Sequence, residues 1–202
     1  MAPSGFAALL HPLPVERFES EIYDRRPAHV PAAGRIMAPP LTVAAIRRWL
    51  AMGNLWTAES LRLYRDGKPV PPAAYCTVPD AVRPGLLRPG RMRVAALLAE
   101  GAALVLNQID DFEPPLAAIA AMLEDRFGGK VGANLYYSQA GVDAFPMHYD
   151  PHQVFVLQIA GRKRWHLYAA REEHPVKDRP ARETPAASAT LAEPVLAPGD
   201  LL

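Results

Sequence analysis

A single cysteine, Cys76, is all this 202-residue chain carries. No internal disulfide can form, and a reducing compartment is expected. Long hydrophobic runs are missing too: no stretch approaches the ~20 apolar residues that a membrane span needs. The opening segment, MAPSGFAALLHPLP, has no basic residues ahead of its short apolar patch, so no secretory leader is expected. Charge of one sign is absent as well. The 22 Lys and Arg nearly balance the 21 Asp and Glu, leaving a net charge of +1 and a pI near 7.9. Direct nucleic-acid binding, which calls for a strongly basic surface, is not expected. There is no internal repeat. These absences leave a cytoplasmic protein of one domain's size, long enough to bury a substantial core.

What the chain does have is proline, 22 of them, roughly twice the usual share. Proline breaks helices and is excluded from central strands, so a helix bundle is ruled out and sharp element boundaries are expected. Phe18 and Ile22 lie on one face of a short helix stopped by Pro27. Thr42 is placed to cap a helix running to about Met52, with Val43, Ile46 and Leu50 on one stripe. Residues 61–64 alternate like a strand, and Asp66-Gly67 reads as a hairpin turn. Residues 69–90 form a surface loop. A helix over 91–100 closes at Gly101, and residues 102–106 form a buried strand. Pro114 and Pro115 suit the first turn of a helix ending at about Phe127, before Gly128-Gly129. A strand over 131–138 leads to the stretch on which the functional reading turns. Residues 169–192 are a long polar insertion. A short strand over 193–196 follows, then a Pro198-Gly199-Asp200 turn, and Leu201-Leu202 begins another strand.

Residues 134–168 read NLYYSQAGVDAFPMHYDPHQVFVLQIAGRKRWHLY. At the centre stand His148 and Asp150. In an extended strand, residues two apart point to the same face, so an imidazole and a carboxylate can converge. That pair is two of the three donors in the 2-His-1-carboxylate triad of non-haem iron sites, although the same donors suit Mn(II), Co(II) and Zn(II). Val154–Ile159 is an apolar run of strand length, read as a buried strand. Gly161 supplies a turn before Arg162-Lys163-Arg164. If that segment is a strand, the two arginines share one face and Lys163 takes the other. A solvated cationic run is the alternative. His152 would share a face with 148 and 150, but Pro151 interrupts the geometry. His166, His174, His11 and His29 carry no ligand signal.

Five segments together, Asn134-Leu135-Tyr136, His148-Tyr149-Asp150, Val154–Gln158, Gly161–Trp165 and Pro198–Leu201, resemble the Jumonji C (cupin-like) 2-oxoglutarate oxygenases, most closely their ribosomal-oxygenase branch. The similarity runs from about Gly101 to the last residue and more faintly back to Phe18. The resemblance implies a mainly β fold with helices, a double-stranded β-helix of jelly-roll type, with N-terminal helices packed outside it. It divides the chain into a mixed N-terminal region, 1–100, and a cupin-like domain, 101–202. It implies Fe(II) held by His148 and Asp150, and 2-oxoglutarate as cosubstrate with its far carboxylate on Lys163. Asn134 and Tyr136 would line the cosubstrate and substrate pocket. Gln153 stands where the family often has an acid. The family's second histidine ligand lies beyond a Pro-x-Gly segment that should follow residue 202, so the expectation is a domain cut short before its last strands.

The expected activity is hydroxylation of a side chain on a protein or peptide, with ribosomal proteins the first guess. Other readings stay open: a small-molecule hydroxylase, a cupin using another metal without 2-oxoglutarate, or a non-catalytic binding module lacking a complete triad. A homodimer is also left open.

Overall fold

The computed structural model describes residues 4–32, 39–77, 86–142, 145–148, 150–169 and 189–202. In chain order the helices are α1 (Gly5–Leu10), α2 (Val15–Arg17, widening into a π turn over Phe18–Ile22), α3 (Val43–Ala51), α4 (Pro72–Tyr75), α5 (Arg91–Ala99) and α6 (Pro114–Phe127). The strands are β1 (Leu61–Arg65), β2 (Lys68–Pro69), β3 (Cys76–Thr77), β4 (Arg88–Pro89), β5 (Ala103–Leu106), β6 (Leu135–Tyr137), β7 (Lys163–Arg164), β8 (Leu167–Tyr168), β9 (Thr190–Ala192) and β10 (Val195–Leu196). These residues gather into two compact units, one of residues 40–146 and one made from 1–39 together with 147–202.

In the unit of residues 40–146, an antiparallel sheet runs in the order β2-β1-β5-β6. Its hairpin turn is Asp66-Gly67, both with positive φ, as the Asp-Gly pair predicts. Register places Leu61 opposite Leu106, Leu63 opposite Leu104 and Leu106 opposite Leu135. Opposed residues share a face, so these leucines form one apolar layer, every one under a tenth exposed. Burying a leucine side chain contributes about 2 kcal/mol, which makes this layer the chief stabilising feature of the unit. The other face carries Arg62, Tyr64, Val105 and Tyr136. Phe145 packs there, its ring 4.5 Å from Tyr64 and 5.9 Å from Tyr136.

Two helices of this unit, α3 and α6, are bounded as their sequence says. Thr42 accepts a hydrogen bond from the Ala45 N–H and caps α3. Gly128, with φ of 69°, closes α6 in the left-handed conformation. An aromatic cluster ties α3 to the turn before α6: Phe112 lies 6.4 Å from Trp49 and 5.4 Å from Trp56, whose indole donates to the Trp49 carbonyl. The 69–90 segment, expected as a loop, contains α4 and the β3–β4 pair; residues 78–85 lie outside the described residues. The strand expected over 131–138 is confined to β6.

In the unit of 1–39 and 147–202, Phe18 is the centre of an aromatic group with Phe6, Tyr23 and Phe155, at ring distances of 5.4, 5.9 and 6.1 Å. The helical segment stops at Ile22, earlier than Pro27. Leu201 is bridged to Val30 on one side and Leu157 on the other. The run Val154–Ile159, expected as a buried strand, forms no regular strand. Among the described residues its backbone bonds run to 199–202 alone, along one edge, and Val154 is 54 % exposed. A central strand pairs along both edges, and a buried one has both faces covered. Pro194 separates β9 from β10. Lacking an N–H, it cannot carry a ladder onward, and the two strands take different partners: β9 pairs with β8 and β10 with β7. Most of the polar insertion, residues 170–188, lies outside the described residues, as do His174 and Tyr149.

Candidate functional site

The sharpest geometry surrounds Lys163. Gly161, with φ of 67°, turns the chain into β7. There Lys163 stands opposite Leu196 and Arg164 opposite Val195. Leu196 is fully buried, whereas Val195 is 42 % exposed. Lys163 is accordingly half-buried, while Arg162 and Arg164 are exposed. Of three consecutive cations only the middle one turns inward, as strand alternation requires. Its Nζ sits 5.1 Å from the centre of the Trp165 ring. Trp165 is held by its own N–H, which donates to the Pro194 carbonyl at 2.9 Å. Its indole Nε1 is buried, with no hydrogen-bond partner among the described residues.

His148 and Asp150 are both exposed and stand outside any strand. The segment after them is anchored where Gln153 donates to Asp24 at 3.2 Å. A neutral imidazole and a carboxylate are suitable donors for a divalent metal. Among the described residues no group of three His, Cys, Asp or Glu gathers around a common point, and His148 and Asp150 by themselves are two of the three donors that such a triad needs. Cys76 is buried, and burial pushes its thiol above the ordinary value.

Asn134 and Tyr136 belong to the unit of residues 40–146, whereas His148, Asp150 and Lys163 belong to the other. Asn134 has a structural task. Its Oδ1 accepts from the Gln108 N–H at 3.1 Å, while Asp110 accepts from the Ala133 N–H at 2.8 Å. Gln108 is left-handed, with φ of 57°, and this reciprocal clamp stabilises the strained turn. Tyr136 lies in β6, 54 % exposed.

Sequence reasoning missed a second polar centre. Asp200 is buried. Its carboxylate accepts from the Ala32 N–H at 2.7 Å and the Ala197 N–H at 3.0 Å, and pairs with His29 Nε2 at 2.9 Å. Burial alone would raise this carboxyl. The donors from Ala197 and Ala32, with His29, outweigh it and hold the group below its ordinary value. The Ala197 contact belongs to the Pro-Gly-Asp turn and was legible as turn chemistry. His29 carried no local signal because its partner is 171 positions away. His166 forms an exposed pair with Glu193 at 2.8 Å, a surface contact.

Comparison with known proteins follows the same residues. The JmjC domain family matches residues 105–202. Ribosomal oxygenase 1 of Rattus norvegicus is 32 % identical over 98 % of this chain and 32 % of its own length. Ribosomal oxygenase 2 of the same organism is 30 % identical over 98 % of this chain and 42 % of its own. The bifunctional lysine-specific demethylase and histidyl-hydroxylase NO66 of Aedes aegypti is 28 % identical over 98 % of the chain and 30 % of its own length. Among solved structures, YcfD, a ribosomal oxygenase from Escherichia coli, superposes with a TM-score of 0.60 at 16 % identity, covering 94 % of this chain and 44 % of that one. This likeness shows a shared fold, of the JmjC cupin-like kind. The chain spans less than half the length of each of these relatives. The family match over 105–202, with ribosomal oxygenases aligned along nearly all of the chain, identifies residues 105–202 as a JmjC domain.

Proposed function

We propose that this chain is part of an Fe(II)- and 2-oxoglutarate-dependent oxygenase that hydroxylates a side chain of a protein substrate, with ribosomal proteins the first class to test. The observation that carries the reading is the inward turn of Lys163 between two outward arginines. From that inward position a lysine can meet a carboxylate in a charge-assisted contact, and the far carboxylate of 2-oxoglutarate is such a group. The relatives' names describe ribosomal oxygenases and a histidyl-hydroxylase, which supports a protein substrate. In this reading the sheets are parts of a double-stranded β-helix, and the setting is cytoplasmic. No helix of the described residues is long and apolar enough to cross a membrane.

His148 and Asp150 would supply an imidazole nitrogen and a carboxylate oxygen to the metal. Lys163 would fix one end of the cosubstrate, so that its other end meets the metal in one orientation. Tyr136 and Asn134 are proposed as cosubstrate-binding residues by the family resemblance alone, and the Asn134 carbonyl is already committed to the Gln108 turn. When bound, iron and 2-oxoglutarate supply the oxidation: one atom of O2 goes to the substrate as hydroxyl, the other to succinate, and CO2 leaves. The test is succinate formation from 2-oxoglutarate with iron, ascorbate and ribosomal-protein peptides. Succinate above that of His148→Ala is expected. Equal yields from the two would refute the oxygenase reading and leave a binding module.

A further inference from the structure

We propose that Trp165 is a positioning residue for Lys163: its indole face holds the ammonium at the point where the far carboxylate of 2-oxoglutarate docks. The inference deepens the function proposed above and rests on its assignment of Lys163 to the cosubstrate.

The two side chains are two residues apart and project from the same side of an extended segment. The Nζ lies 5.1 Å from the ring centre, inside the ~6 Å range over which a ring quadrupole attracts a cation. Trp165 is a fixed platform. Its backbone is tied to Pro194, and its indole Nε1 is turned into the interior. Leu196, fully buried opposite Lys163, supports the lysine stem from the neighbouring strand. A free lysine is among the most mobile side chains, and each rotamer frozen on binding weakens affinity. A ring that already holds the ammonium removes much of that loss. Arg162 and Arg164 are exposed on the outward side and cannot substitute.

The experiment is calorimetric titration of 2-oxoglutarate into the full chain with Mn(II), in the wild type, Trp165→Phe, Trp165→Leu, Lys163→Ala and the Trp165→Leu/Lys163→Ala double variant. Trp165→Leu is expected to weaken binding about fivefold, and Trp165→Phe less, as a cation–π contact of ordinary strength implies. In the Lys163→Ala background Trp165→Leu should have no further effect, because the tryptophan acts through the lysine. An undiminished effect there overturns the inference while leaving the role of Lys163 intact. Lys163→Ala binding as tightly as wild type, or no binding by wild type, overturns the cosubstrate reading and this inference with it. A readout free of ligand accompanies the titration. After reductive 13C-methylation, the Lys163 signal should be shifted upfield by the ring in wild type and Trp165→Phe, and not in Trp165→Leu. An unshifted wild-type signal also overturns the inference. Should Trp165→Leu lose its fold by circular dichroism, Trp165→Phe carries the comparison.

Discussion

Lys163 and Asp200 show how much depends on which way one side chain turns. Both are ionic groups drawn inward in the same unit. Asp200 has its partners within the chain: two backbone N–H groups and His29. Replacing it with Asn should destabilise the protein by about 2 kcal/mol, the order expected for hydrogen bonds to a charged group, read as a lower denaturant midpoint. The pH dependence has a definite sign. The native carboxyl is held below its ordinary value of 3.8, so the native state binds its proton less readily than the unfolded chain. The stabilisation is complete above that ordinary value and is lost as pH falls through the lower native one. Acid unfolding of Asp200→Asn should lack this component, and identical acid limbs for the two proteins would refute the assignment.

At the scale of elements, capping and turn chemistry decide where the chain bends. Thr42→Ala removes the bond to the Ala45 N–H and should cost about 1 kcal/mol, measured as a drop in Tm with no change in fold. The turn at Pro198-Gly199-Asp200 is less tolerant. Gly199 has φ of 90°, and a Cβ there would meet the Ala32 Cβ at 2.9 Å. Gly199→Ala therefore combines backbone strain with a clash and should cost about 3 kcal/mol. Because Asp200 follows directly and bonds the Ala32 N–H, the substitution should also weaken the clasp between 29–32 and 197–200. A Gly199→Ala protein as stable as wild type would show that this turn has another conformation.

For the whole molecule, the metal proposal makes a thermodynamic prediction that needs no substrate. A ligand that binds only the folded chain stabilises it by mass action, about 2.7 kcal/mol at a hundred times its Kd. Mn(II) should raise Tm progressively with concentration, and the rise should vanish in Asp150→Ala. A Tm rise preserved in that variant would mean the ion binds elsewhere. Both donors are exposed, so their replacement leaves the buried layer of β1, β5 and β6 untouched.

The local pattern in the sequence determined the elements whose causes are local. Thr42 and the Val43 stripe specified α3, Asp66-Gly67 the hairpin, Pro114 and Gly128 the two ends of α6, and the alternation around Lys163 its inward turn. Each depends on residues within a few positions, where backbone sterics and periodicity act directly. The tertiary structure alone decided the rest. Val154–Ile159 has the composition of a buried strand, yet its chain neighbours say nothing about how many edges find partners. Asn134 reads like a pocket residue, but its carbonyl serves a strained turn 26 positions away. His29 is featureless until Asp200 comes beside it. Hydrogen bonds and ion pairs are made between atoms near in space, and nearness across 171 residues is settled only when the chain has folded.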